Sequence, residues 1–136
     1  MHNIDEPALI NLVFDHYHRA LISSERAISF LKEFNFATPE IITGLHIGYA
    51  DRTLGFKFPD GRTPKGSALR GALIRLGLFR PTGHELFRGC VIFPLMDTNG
   101  AVKGGFGFRL KDFETARRLV TVNWVTCIEA SRESII

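Results

Sequence analysis

The segment from Cys90 to Leu110 constrains this chain more than any other. Cys90-Val-Ile-Phe-Pro-Leu-Met96 is an apolar run, Asp97-Thr-Asn-Gly100 interrupts it, and a second apolar run follows from Ala101 to Leu110. Two short apolar runs joined by Asn99-Gly100 predict a β-hairpin, because both residues tolerate the positive φ that a tight turn demands. Pro94 has no N–H to give to a ladder, so it predicts an edge strand or a bulge. Gly104, Gly105 and Gly107 mark a place where another backbone or a ligand comes close.

Helical periodicity precedes the hairpin. Leu9, Leu12, Val13, His16 and Ala20 share a face of a helix over 6–21, with Pro7 in its first turn. Ser23 or Ser24 caps a second helix running to about Phe34, with Ile28, Leu31 and Phe34 as its buried stripe. Thr38-Pro39-Glu40 opens a short third helix ending near Gly44, and residues 46–50 are extended. Residues 51–66, rich in Gly, Pro and basic side chains, read as an irregular and mobile loop. A fourth helix spans 67–76, with Leu69, Leu73 and Leu76 inward. After the hairpin, 112–119 reads as a short helix and 119–128 as a β-branched strand. The class is therefore α+β: N-terminal helices, then a small antiparallel or mixed sheet with its hairpin at about 90–110. At 136 residues the chain fits one domain, 1–136.

Charge is unevenly spread. Residues 1–51 hold seven acids and three bases, while residues 52–111 hold eleven bases and only Asp60, Glu85 and Asp97 as acids. Such asymmetry suits a surface that meets phosphates, since each Lys or Arg can displace a condensed counterion; a solvated basic surface would look the same. No apolar run is long enough to span a bilayer and the N-terminus lacks a basic signal-peptide start, so the expected compartment is the cytoplasm. Cys90 and Cys127 form no disulfide framework or zinc pair and read as reduced, buried thiols.

Several chemistries lack their residues. Gly61-Arg-Thr-Pro-Lys-Gly66-Ser67 resembles a phosphate-binding loop, but its lysine precedes the second glycine. Gly105-Phe-Gly107 lacks the third glycine of a dinucleotide fingerprint. His16 and His18, two apart on a helix, point to different faces and make no metal pair, and His46 and His84 stand alone. Two-metal phosphoryl transfer needs clustered carboxylates, and the basic half has no Asp-x-Asp pair.

Three stretches together resemble a family. Tyr17-His-Arg-Ala-Leu, Glu25-Arg-Ala-Ile-Ser-Phe-Leu-Lys and Ile41 through Gly48-Tyr49-Ala50 are similar to the helical entry of the bacterial-type DNA primase catalytic core. Leu76-Gly-Leu-Phe, Phe87-Arg88-Gly-Cys-Val-Ile-Phe-Pro-Leu-Met-Asp-Thr-Asn-Gly100 and Gly105-Phe-Gly-Phe-Arg109 resemble that core's hairpin. The order matches over about 12–110, in the part that precedes the TOPRIM subdomain, and leaves the tail 111–136 uncertain. Arg52-Thr-Leu-Gly-Phe, the shortened basic middle and Gly83-His84-Glu85 give it the flavour of primase-like proteins of mobile elements.

The resemblance implies a subdomain that holds single-stranded template and RNA–DNA primer duplex beside a metal-binding TOPRIM subdomain in DNA replication. By position, Arg88 and Arg109 match the family's hairpin arginines; Cys90 and Thr98 stand where basic residues are usual, which predicts weaker phosphate contact. Lys103, Arg52, Lys57, Arg62 and Lys65 complete the expected nucleic-acid-binding set. No catalytic residue, cofactor site or metal site is expected in the chain itself. Magnesium is implied only for a TOPRIM partner or a missing remainder, because the 26 residues after Leu110 are too few for a TOPRIM fold. The expected partners are nucleic acid, a TOPRIM-containing or helicase protein, and a second copy through the C-terminal tail. The alternative is a protein-interaction module with a primase-like fold and no nucleic-acid binding.

Overall fold

The computed structural model describes residues 3–126. Five helices surround a four-stranded antiparallel sheet of order β1-β2-β3-β4. Helix α1 (Glu6–Ile22) is capped by Asp5, whose carboxylate accepts from the Ala8 N–H. Helices α2 (Glu25–Glu33) and α3 (Pro39–Gly44) are capped by the Ser24 and Thr38 hydroxyls. These side chains satisfy N–H groups that a helix start leaves open. Strand β1 (Gly48–Tyr49) follows, then a short 3-10 helix (Leu54–Lys57) and α4 (Pro64–Arg75). Strands β2 (Cys90–Met96) and β3 (Val102–Arg109) form the hairpin, and α5 (Leu110–Ala116) leads to β4 (Thr121–Val125).

The hairpin stands where the apolar runs place it, pairing Cys90 with Arg109 and Met96 with Val102. Its turn differs in detail from the reading above. The Gly100 N–H returns to Asp97 O, the Asp97 carboxylate accepts from the Asn99 and Ala101 N–H groups, and of the two turn residues only Gly100 has positive φ. Pro94 lies on an interior strand, yet β1 pairs only with Val91 and Ile92, so nothing asks Pro94 for a donor on that side. The register shifts at Leu95/Met96, which is the irregularity the proline foreshadows.

The sheet is covered on both faces. Alternate residues of β2 enter different clusters, as the two-residue period of a strand requires. Cys90 and Ile92 pack with Leu9, Val13 and Phe14 of α1, Leu73 of α4, and Phe87 and Trp124. Val91 and Phe93 pack with Phe30 of α2, Ile42 of α3 and Phe113 of α5. The buried face of α1 is Leu9, Ile10, Val13, Phe14, Tyr17 and Leu21; Leu12 is 41% exposed, so the stripe is turned relative to the predicted one. In α2 the inward residues are Ala27, Phe30 and Leu31, with Phe34 outside. Helix α4 begins three residues early, because the Thr63 hydroxyl caps the Gly66 N–H and Pro64 fills the first turn.

The glycines of β3 receive neighbouring groups of this chain. A Cβ at Gly107 would lie 2.9 Å from Cys90 Cβ and 3.0 Å from Phe87, and one at Gly105 3.2 Å from Phe93 O. The segment 51–66 is tied down: Arg70 donates to Pro59 O at 2.6 Å and to Gly55 O at 3.3 Å. Cys127 and the end of the tail lie outside the described residues, and no described helix is long and apolar enough to cross a membrane.

Candidate functional site

A glycine organises a strongly cationic depression among the described residues. Gly89, at φ +76, donates its N–H to Ala50 O and accepts the Leu110 N–H, both at 3.0 Å. These two bonds bring together three segments far apart in sequence: 50–52, 88–89 and 109–112. Their side chains, with a turn at 80–86, line a cleft of about 400 Å³ containing Arg52, Arg80, Arg88, Arg109 and Lys111 against Glu85 and Asp112. A second depression of about 360 Å³ shares Arg52, His84, Glu85 and Arg88 and extends to Gly55 and Arg70.

The local chain explains each placement. Arg52 has φ +72, a left-handed conformation that is uncommon for a residue with a side chain. It is held there by its neighbours. The Thr53 N–H and hydroxyl both donate to the Asp51 carboxylate, and His16 Nε2–H donates to the Thr53 hydroxyl at 2.8 Å. Burial holds the His16 pKa below its ordinary value; Asp51 opposes this, while Lys57 and Arg19 add to it. Arg88 follows a tight turn in which Arg80 N–H bonds His84 O at 2.7 Å and Gly83 takes positive φ. Arg109 ends β3, and Lys111 sits in the first turn of α5.

At the base of the cleft, Glu85 accepts a 2.8 Å bond from the Tyr17 hydroxyl. Burial pushes the Glu85 carboxyl up; the Tyr17 bond, Arg88 and Arg52 pull it back, and Asp51 adds to the rise. Tyr17 is raised well above its usual range, by burial first and by Glu85 next, so it remains a proton donor. Cys90 is fully buried, and burial pushes its thiol up to about 11. Its side chain therefore points into the core, and the cleft's cations come from other positions.

Three of the seven expected binding residues, Arg52, Arg88 and Arg109, meet in this cleft. Lys57, Arg62, Lys65 and Lys103 do not line it. Lys57 sits on the 3-10 helix near His16, and the exposed Arg62 pairs with Asp60 at 3.1 Å. Lys65 lines a separate groove beside the start of α1. Lys103 lies at the turn end of the hairpin, beside an Asp97 carboxylate that the Ala101 N–H above all holds below its ordinary value, with burial opposing and the Asn99 N–H and Lys103 adding to the fall. Arg80 and Lys111 stand outside the expected set.

Two features lie elsewhere. His46, read as standing alone, stacks on His18 at 4.2 Å; His18 bonds Ile47 O and His46 bonds Asp15. Among the described residues, no group of three or more His, Cys, Asp or Glu could hold a metal ion. On the other side of the sheet, Phe30, Phe34, Phe36, Phe93, Phe108 and Leu119 line an apolar groove of about 260 Å³.

No protein-family model and no curated protein matches the sequence. Solved structures do. A DnaG catalytic core superposes with a TM-score of 0.67 at 24% identity, over 88% of this chain and 37% of that one. A DnaG primase catalytic domain bound to single-stranded DNA gives 0.66 at 25% identity, over 88% and 37%. The RNA polymerase domain of Mycobacterium tuberculosis primase DnaG, in complex with a double-stranded DNA carrying a 6-nucleotide overhang, gives 0.61 at 20%, over 91% and 39%. The chain has the fold of the N-terminal subdomain of the primase catalytic core, and it spans little more than a third of the length of these structures.

Proposed function

We propose that this chain is a primase-like nucleic-acid-binding subdomain whose cleft at Arg52, Arg88 and Arg109 grips the phosphates of single-stranded template. The RNA–DNA primer duplex is the second ligand of the same surface, and the work is done beside a TOPRIM catalytic subdomain during primer synthesis. The observation that carries this is the convergence of Arg52, Arg80, Arg88, Arg109 and Lys111 around Gly89. Cations carried on backbone that is already fixed by short pairings meet a phosphate chain with little main-chain ordering left to do, and each contact releases a counterion. The primase domain solved with single-stranded DNA shares this fold, which adds support.

Primer synthesis itself needs magnesium held by clustered carboxylates. The acids of the basic half do not fit that task. Asp60 is engaged by Arg62, Glu85 by Tyr17 and Asp97 by its own turn. No catalytic step is assigned to this chain, and the metal belongs to a TOPRIM subdomain, on another chain or elsewhere in the same protein. A TOPRIM-containing or helicase protein in the cytoplasm is the partner that fits.

The test is fluorescence anisotropy of a labelled single-stranded oligonucleotide at several salt concentrations. Micromolar binding that weakens steeply with salt is expected. Arg88→Ala and Arg109→Ala should each weaken it and flatten the log–log slope by about 0.7. A second reading, a protein-interaction module, draws on the apolar groove at Phe34, Phe36 and Leu119. It expects no binding even at low salt.

A further inference from the structure

Phe56 is 88% exposed, the most exposed of the large apolar side chains among the described residues. Its neighbours show that this is not a loose loop. Leu54 is 1% exposed, and Phe58 packs against the core. The Phe56 N–H donates to Thr53 O at 3.0 Å, closing a turn of the 3-10 helix. Arg70 Nη2 holds Gly55 O, and Thr53 is fixed by Asp51 and His16. The backbone thus presents one bare aromatic ring from an anchored turn. The turn also belongs to the cationic site, since Gly55 lines the depression that contains Arg52 and Arg88.

We infer that Phe56 is a stacking platform for an unpaired base of the strand whose phosphates lie at Arg52 and Arg88. This rests on the cleft reading above and deepens it. The cations select a polyanion, and the ring selects a polyanion with free π-faces. A single strand offers such faces to an aromatic side chain, whereas a duplex has them covered. Charge at the same place argues against an apolar protein as the occupant, because such a partner would have to desolvate Arg52 and Arg88 without pairing them.

The experiment uses the full chain and three labelled probes: oligo(dT), the same length of abasic strand, and a duplex. Phe56→Ala should weaken oligo(dT) binding by about five- to one-hundred-fold, the range that base–aromatic stacking supplies. The salt slope should not change, since no phosphate contact is lost. Phe56→Trp should restore affinity, and its fluorescence should be quenched by oligo(dT) and not by duplex. The abasic strand should bind wild type and Phe56→Ala alike. With so exposed a side chain, thermal midpoints should stay together. Equal oligo(dT) affinity for wild type and Phe56→Ala, with Arg88→Ala still weakened, would overturn the stacking role and leave the cleft standing; Phe56 would then be a protein contact. Failure of the wild type to bind any strand at low salt would overturn the cleft reading, and this inference with it.

Discussion

Glu85 is a carboxylate placed among cations, and its surroundings act on it in opposite directions. Burial raises its pKa most; the Tyr17 hydroxyl, Arg88 and Arg52 act against that, and the balance is upward. The folded state therefore holds the Glu85 proton more tightly than the unfolded chain does at its ordinary 4.5. The stability this contributes is complete below that value and is lost as pH rises through the raised folded one. Glu85→Gln keeps the shape and removes the titration. Its urea stability should fall less than that of the wild type between about pH 4 and pH 7. The same change takes a negative charge out of the cleft, so oligonucleotide affinity at neutral pH should rise by roughly several-fold. A variant that binds more weakly would mean that Glu85 supports the arginines instead of opposing the phosphates.

At the scale of elements, the close approach of α1 to the sheet decides what β1 can carry. A Cβ at Gly48 would sit 2.6 Å from Tyr17 Cβ and 2.9 Å from the Tyr17 carbonyl carbon. The second neighbour is helix backbone and cannot rotate away, so Gly48→Ala should destabilise by about 1–3 kcal/mol in urea denaturation. A near-neutral result would show that α1 can slide. This contact was hidden in the sequence, where Gly48 is one small residue in an extended stretch. The elements themselves were readable, because Ser24, Thr38, Pro39 and Asn99-Gly100 act locally. The facing of the helices was not: α1 turns Leu12 outward and Ile10 inward because the sheet and α4 together decide which side is covered. The site was half readable for the same reason. Arg88 and Arg109 flank recognisable strands, but Lys111 joins them through the bond of Leu110 to Gly89, and Arg80 through the turn its own N–H closes on His84 O. Counting charge along the chain grouped Lys103 with Arg109, although six steps along the strand separate them by about 20 Å.

At the scale of the whole molecule, β2 is a wall common to both clusters, with Ile92 facing one and Phe93 the other. The cleft lies on the seam between them, since Gly89 is bonded to Ala50 of the first cluster and Leu110 of the second. A layer shared in this way cannot lose one face and keep the other ordered, so the chain should unfold as one unit. Trp124, the single tryptophan, tests this from the first face: it is buried, and its indole N–H bonds Leu76 O at 2.7 Å. Phe113, on the opposite face, packs edge-on against Phe30 at 5.1 Å. Phe113→Ala should cost about 3 kcal/mol. It should lower the urea midpoint seen by Trp124 fluorescence as far as the midpoint seen by far-UV circular dichroism, with the slope m unchanged. Displacement of the circular-dichroism midpoint alone would mean two independently melting faces. In that case the cleft, which needs both, would come apart before the protein unfolds, and oligonucleotide binding by Phe113→Ala would fail at urea concentrations where Trp124 is still buried.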